Sequence, residues 1–246
     1  MNLIIDIGNS RIKVAVVDGS EQVEIFVFEQ LEKSDLQRVA SLYPAVDKAI
    51  VASTAQPTAL VAEWLREMGL YVVEMSGSTP VPLRNGYLTP ETLGVDRLAA
   101  AVGASQIVEG DCLIVDFGTA ITIDLVVDGE FRGGNISPGM RTRFRALHDY
   151  TSRLPECEAT DEVLPIGRTT SQAIEQGVMQ GITYEIEGYI DAFLSNNVKL
   201  SIIFTGGDAK CFVKRIKNAI FAKCDLVVCG LNTILEYNAR IKEQNI

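Results

Sequence analysis

An apolar run opens the chain, is broken by Asp6, Gly8 and Asn9, and resumes from Ile12 to Val17. Two apolar, β-branched runs around a polar, glycine-bearing bend predict a β-hairpin. The pattern recurs 110 residues later, where residues 113–129 read LIVDFGTAITIDLVVDG against LIIDIGNSRIKVAVVDG for residues 3–19. The alignment needs no gap and pairs Asp6 with Asp116, Gly8 with Gly118, and residues 16–19 with residues 126–129. Each copy predicts a strand, an Asp-x-Gly turn, a second strand and an Asp-Gly turn whose glycine takes a positive φ.

Beyond the first hairpin the pattern predicts a strand at 23–28, a helix at 33–42, a strand at 48–52, a helix at 58–68 and a strand at 71–75. This order, β-β-β-α-β-α-β, is most economically met by a parallel sheet with crossover helices. The second half repeats it, with strands at 112–117, 120–127 and 130–135 and helices near 139–150 and 170–195. A strand at 200–205, a helix from 209, a strand at 225–228 and a closing helix from 231 follow. A helix at about 93–107 joins the halves, and Ala99, Ala100, Ala101, Gly103 and Ala104 permit close packing there. The expected fold is α/β, with an N-terminal lobe over 1–91 and a linking helix plus second lobe over 92–246. Both Asp-Gly turns are expected to line a central cleft. The long helix carries Ile174, Val178, Ile182, Ile186 and Ile190 at i+4 spacing, a core or dimer stripe.

Composition narrows the partners. The 246 residues are 47% apolar, enough for one large domain or two modest ones. With 22 basic against 32 acidic residues, the net charge of −10 repels phosphate backbones and anionic lipid, so neither nucleic acid nor a membrane is an expected partner. Cys112, Cys157, Cys211, Cys224 and Cys229 form no close pair, which suits a reducing compartment. No leader pattern and no apolar run of roughly 18 residues is present, so a cytoplasmic location is expected.

The bends carry the chemistry. A carboxylate at the mouth of an apolar strand is costly unless it meets a cation or several donors. Two such carboxylates suggest a metal-phosphate site. In Asp6-Ile7-Gly8-Asn9-Ser10-Arg11-Ile12-Lys13, Gly8 lets backbone approach a phosphate, Asn9 and Ser10 offer neutral donors and Lys13 offers charge. Asp6 is a Mg²⁺ ligand candidate. Asp116-Phe117-Gly118-Thr119 offers Thr119 and further N–H groups, with Phe117 expected to shape the cleft. Neither a P-loop nor a dinucleotide fingerprint is present. Residues 133–139, GGNISPG, read as a side-chain-poor loop against which substrate can lie. Thr205-Gly206-Gly207 ends a strand where main chain can meet adenosine. Trp64 reads as core.

Together these motifs resemble the acetate and sugar kinase, Hsc70 and actin superfamily, and within it the type III pantothenate kinases. The resemblance spans nearly the whole chain. It is carried by Asp6-x-Gly8-Asn9-x-x-x-Lys13, Gly94-Val95-Asp96-Arg97, Asp116-x-Gly118-Thr119-Ala120-x-Thr122, Gly133-Gly134-x-Ile136-x-Pro138-Gly139 and Thr205-Gly206-Gly207. It implies duplicated ribonuclease H-like, actin-like halves and transfer of the γ-phosphate of ATP to the primary hydroxyl of pantothenate, the first step of coenzyme A synthesis. It also implies Mg²⁺, a monovalent cation (K⁺ or NH₄⁺) and a homodimer. By resemblance Asp96 is the general base, and Tyr87, Gly94, Val95, Arg97 and Thr170 meet the substrate. Asp6 through Lys13, with Thr119, Gly206 and Gly207, bind ATP, and Asp6 and Asp116 hold the cations. His148 resembles a residue reaching the neighbouring subunit.

The residues alone leave two other readings: another kinase of the superfamily acting on a sugar or small acid, and a nucleotide-gated binding module.

Overall fold

The computed structural model describes residues 1–195, 199–216, 220–222 and 225–244. The chain folds as two compact units, one of Met1–Glu109, Gly129–Arg132 and Lys223–Ile246, the other of Gly110–Asp128 and Gly133–Ala222. Residues 92–109, with the linking helix, and the end of the chain belong to the first unit.

In the first unit, β1 (Asn2–Ile7), β2 (Ile12–Asp18), β3 (Glu21–Phe28), β4 (Lys48–Ser53) and β5 (Tyr71–Glu74) form a sheet in the order β3-β2-β1-β4-β5. The first three strands are antiparallel neighbours, while β4 and β5 run parallel to β1, through α1 (Lys33–Leu42) and α2 (Ala59–Glu67). Leu3, Ile5, Ile12, Val14, Val16, Leu36, Val51 and Leu65 fill the core beneath them, with Trp64 packed at its edge. The central strand β1 is buried almost throughout, as a strand covered on both faces requires. A short β6 (Arg84–Asn85) pairs with the first residues of β9 (Glu130–Pro138), Arg84 opposite Glu130 and Asn85 opposite Phe131.

Two helices complete this unit, α3 (Val95–Ala104) and α6 (Leu226–Gln244). Ala99, Ala100, Ala101, Gly103 and Ala104 are all buried. A Cβ on Gly103 would strike the backbone of Leu226, and one on Gly230 the backbone of Ala99. The small residues foreseen for a seam therefore let α3 and α6 touch backbone to backbone. Asn2 Nδ2 donates to Asn232 Oδ1 at 2.7 Å and to Glu236 Oε1 at 2.8 Å, and Lys48 Nζ meets Glu236 at 2.6 Å. These bonds lock α6 against β1 and β4.

The second unit holds β7 (Cys112–Phe117), β8 (Ala120–Val127), most of β9, β10 (Ser201–Thr205) and β11 (Ile220–Phe221), running β11-β10-β7-β8-β9. This repeats the first sheet's order. Helices α4 (Met140–Asp149) and α5 (Thr170–Leu194) belong to it, and Ile174, Val178, Ile182, Ile186 and Ile190 of α5 are core residues.

Three elements differ from the sequence expectation. Residues 225–228 begin α6 rather than form a strand: Leu226, Val227 and Val228 are β-branched or apolar because they are buried in a helical seam. The helix expected from 209 is a single 3₁₀ turn, Ala209–Cys211, packed into the core through Ala209 and Phe212. The glycine-rich stretch from 133 is strand up to Pro138, where Gly134 lies so close to Ile123 and Asp124 of β8 that no side chain fits. Cys224 lies outside the described residues. No disulfide joins the four described cysteines, Cys112, Cys157, Cys211 and Cys229, to one another. Among the described residues no helix is long and apolar enough to cross a membrane.

Candidate active site

The first unit gathers its candidate residues at the carboxyl end of β1. Ligands in open α/β sheets collect at strand ends of this kind, where backbone groups run out of ladder partners. Asp6 is the penultimate residue of β1 and stands directly across from Lys13 of β2, so both side chains project from one face. Between them Gly8 N–H donates to Arg11 O at 3.1 Å, closing the bend, while Asn9, Ser10 and Arg11 are exposed. Ile7 and Ile12, expected among the ATP contacts, point into the core at 1% and 5% exposure, so only their backbone remains for a ligand.

Burial pushes the Asp6 carboxyl up to about 6; Lys13 works against that rise, and Asp225 and Asp96 add to it. Asp6, Lys13, Asp96 and Asp225 therefore form one electrostatic cluster. A desolvated carboxylate beside two others is held short of full ionisation until a cation arrives.

Asp96 sits in the first turn of α3. Its Oδ1 accepts the Arg97 N–H at 2.8 Å, folding the side chain back over the helix start. That fold explains Gly94, since a Cβ there would lie 2.6 Å from Asp96 Oδ1. Burial raises the Asp96 carboxyl above its ordinary range, and the Arg97 N–H and charge oppose the rise. Arg97 is not at the surface: it is 5% exposed, with its guanidinium carbon 5.6 Å from the Tyr87 ring centre and 5.8 Å from that of Phe131. The two rings, 6.1 Å apart, form a cation–π seat. Tyr87 and Arg97 are thus brought together, Gly94 and Asp96 lie beside Arg97 at the helix start, and Val95 is buried. Phe131 is a member of this group that sequence reasoning missed. Its only signal was an aromatic two residues after the second Asp-Gly turn.

In the second unit Asp116 is the penultimate residue of β7 and faces Thr122 of β8 and Thr205 of β10. Gly206, at φ 96°, follows Thr205, and a Cβ on it would strike Asp116 Oδ1 and the Phe117 backbone. Gly139 is pressed equally close to Gly118 and Thr119, whose side chain is exposed. The structure brings Asp116, Thr119 and Gly206 to one strand end, with Gly207 open beside them. Phe117 instead turns inward, stacked on Phe212 at 4.9 Å and edge-on to Phe204 at 5.1 Å, so it is core and shapes no cleft. Thr170 is exposed at the first residue of α5, after Thr169, whose Oγ1 caps Gln172 N–H at 3.2 Å. His148 is exposed, with Nδ1 3.0 Å from Leu154 O.

A family model of type III pantothenate kinase matches residues 2–192. A type III pantothenate kinase from Phocaeicola vulgatus is 43% identical over 243 residues, covering 98% of this chain and 100% of that one. The chain belongs to the type III pantothenate kinase family. Among solved structures, a Baf family protein from Campylobacter jejuni has a TM-score of 0.65 at 22% identity, covering 97% of this chain and 99% of that one. Component A of (R)-2-hydroxyglutaryl-CoA dehydratase from Acidaminococcus fermentans has a TM-score of 0.54 at 13% identity, covering 97% and 98%. At these identities the likeness concerns the fold alone, the actin-like duplication seen in the two matching sheets.

Proposed function

We propose that this chain transfers the γ-phosphoryl group of ATP to the primary hydroxyl of pantothenate, giving 4′-phosphopantothenate and ADP at the start of coenzyme A synthesis. Family membership supports the reaction. The observation that carries the residue roles is the convergence of Asp6, Lys13 and Asp96 in one partly desolvated cluster.

Phosphoryl transfer asks the protein for positioning and charge stabilisation more than for covalent chemistry. The pantothenate hydroxyl oxygen forms a bond to the γ-phosphorus as the bond to the ADP oxygen breaks, and the hydroxyl proton passes to the Asp96 carboxylate. Its raised pKa makes Asp96 a better acceptor than an ordinary aspartate, and its hydrogen bond to Arg97 N–H fixes the direction of its oxygens. Tyr87, Gly94, Val95 and Arg97 shape the substrate's seat, with Thr170 as a further contact. The bend from Asp6 to Lys13, with Thr119, Gly206 and Gly207, binds the nucleotide.

Mg²⁺ is commonly held by one or two carboxylates together with substrate phosphates. Asp6 would hold it, and the ion would neutralise charge on the phosphate oxygens. Asp116, with glycine backbone pressed against it, offers oxygen donors suited to K⁺ or NH₄⁺. The chain acts in this reading as a cytoplasmic homodimer.

The test is a coupled ADP-release assay with pantothenate, Mg²⁺ and K⁺. Turnover dependent on pantothenate is expected, and Asp96→Asn should lower kcat by about 10²-fold or more. Turnover with glucose or acetate alone would overturn the substrate, and an Asp96→Asn protein of undiminished kcat would overturn the base.

A further inference from the structure

We infer that Asp225 is a positioning residue that holds the Lys13 ammonium at the Asp6 strand end for the triphosphate; the inference rests on the nucleotide role given to Lys13 above. Asp225 lies beyond residue 192, where the family match ends, and sequence reasoning placed it in a strand. In the structure Lys13 Nζ meets Asp225 Oδ2 at 2.5 Å. The other carboxylate oxygen, Oδ1, accepts N–H groups of Val227 at 3.1 Å and Val228 at 3.4 Å, at the start of α6.

The two oxygens do different work. Capping a helix needs only a neutral acceptor, and Asn or Ser caps as well as Asp. The negative charge serves Lys13. A lysine side chain has many rotamers, so an unanchored ammonium would reach a phosphate only by losing that freedom on binding. Asp225 fixes it beforehand, and Asp225 is itself fixed, because α6 is pressed against α3 at Gly103 and Gly230. Partial exposure, 36% for the Lys13 side chain and 22% for Asp225, leaves the ammonium accessible, and its three donors allow a phosphate oxygen to be met without releasing the carboxylate.

Asp225→Asn keeps the cap and removes the charge. We expect its KM for ATP to rise by about tenfold, with kcat and the KM for pantothenate within about threefold and an unchanged melting temperature. Asp225→Ser, also a neutral cap, should do the same. In a Lys13→Ala background the Asp225→Asn change should add less than about twofold, because its route of action is gone. A raised KM in Lys13→Ala with none in Asp225→Asn overturns the inference and spares the role of Lys13. A lowered KM in Asp225→Asn also overturns it, marking the carboxylate as a competitor of phosphate. An undiminished effect in the double variant overturns it too. If Lys13→Ala leaves the KM for ATP unchanged, this inference and the Lys13 role fall together, while pantothenate kinase activity stands.

Discussion

The two Asp-Gly hairpins align in sequence without a gap, yet they are paired one residue out of step. In the first, Ile7 opposes Ile12 and Asp6 opposes Lys13; in the second, Phe117 opposes Ile121 and Asp116 opposes Thr122. The gapless partner of Lys13 is Ile123, which is 1% exposed in the core. A strand presents alternate residues to alternate faces, so a bend shorter by one residue moves every following side chain to the other face. The far turns differ in the same sense: Gly19 takes a φ of 60° in one, and Asp128 and Gly129 take 52° and 67° in the other, one position earlier in the repeat. A bulge at Val16 and Val17 interrupts the pairing of β2 with β3. One hairpin therefore sets a lysine across from its aspartate, and the other a threonine.

The sharpest way to break this contrast is to neutralise the aspartate of the first copy. Asp6→Asn should lower kcat/KM for ATP by about 10³-fold, since the carboxylate proposed to hold Mg²⁺ beside the phosphates is lost. Retained activity in steady-state kinetics would remove the distinction between the copies.

The same substitution has the opposite effect on stability. The folded protein holds the Asp6 proton up to about pH 6, whereas the unfolded chain releases it near the ordinary aspartate value of 3.8. Between those values the folded state binds more protons, so stability falls as pH rises and stays lower above 6. Asparagine escapes that loss. Asp6→Asn should be more stable than the native protein at pH 7.5 by up to about 3 kcal/mol, with the gap closing towards pH 4. Saturating Mg²⁺ and ATP should shrink the gap, because they stabilise the carboxylate. Calorimetry across pH reads both, and a pH-independent difference would refute the desolvated state of Asp6.

The smallest effect is expected in the second hairpin. Thr122→Val keeps the shape of the residue facing Asp116 and removes only a hydroxyl. Stability within about 1 kcal/mol and activity within about threefold are expected from melting curves and kinetics. A loss approaching that of Asp6→Asn would show that the second hairpin also depends on the residue across from its aspartate.

Much of this was legible beforehand, and the misses have physical causes. The hairpins, the core stripe of α5 and the glycine-alanine seam follow from local periodicity, which acts over a few residues. Residues 225–228 failed because a buried helix start and a buried strand share the same apolar letters; the Asp225 cap that separates them is one side chain. Phe117 was read as facing a cleft, but alternation along β7 puts it opposite in sense to Asp116 and into the core.

By itself the sequence determined the duplication, the strand order's local units, the charge balance and the motifs that carry family membership. Only the tertiary structure decided that Lys13 and not Ile123 stands opposite an aspartate, that Phe131 seats Arg97, and that Asp225 returns from the chain's end to Lys13. Register and long-range pairing depend on which faces are buried together. That is a property of the packed chain, and no stretch of residues specifies it alone.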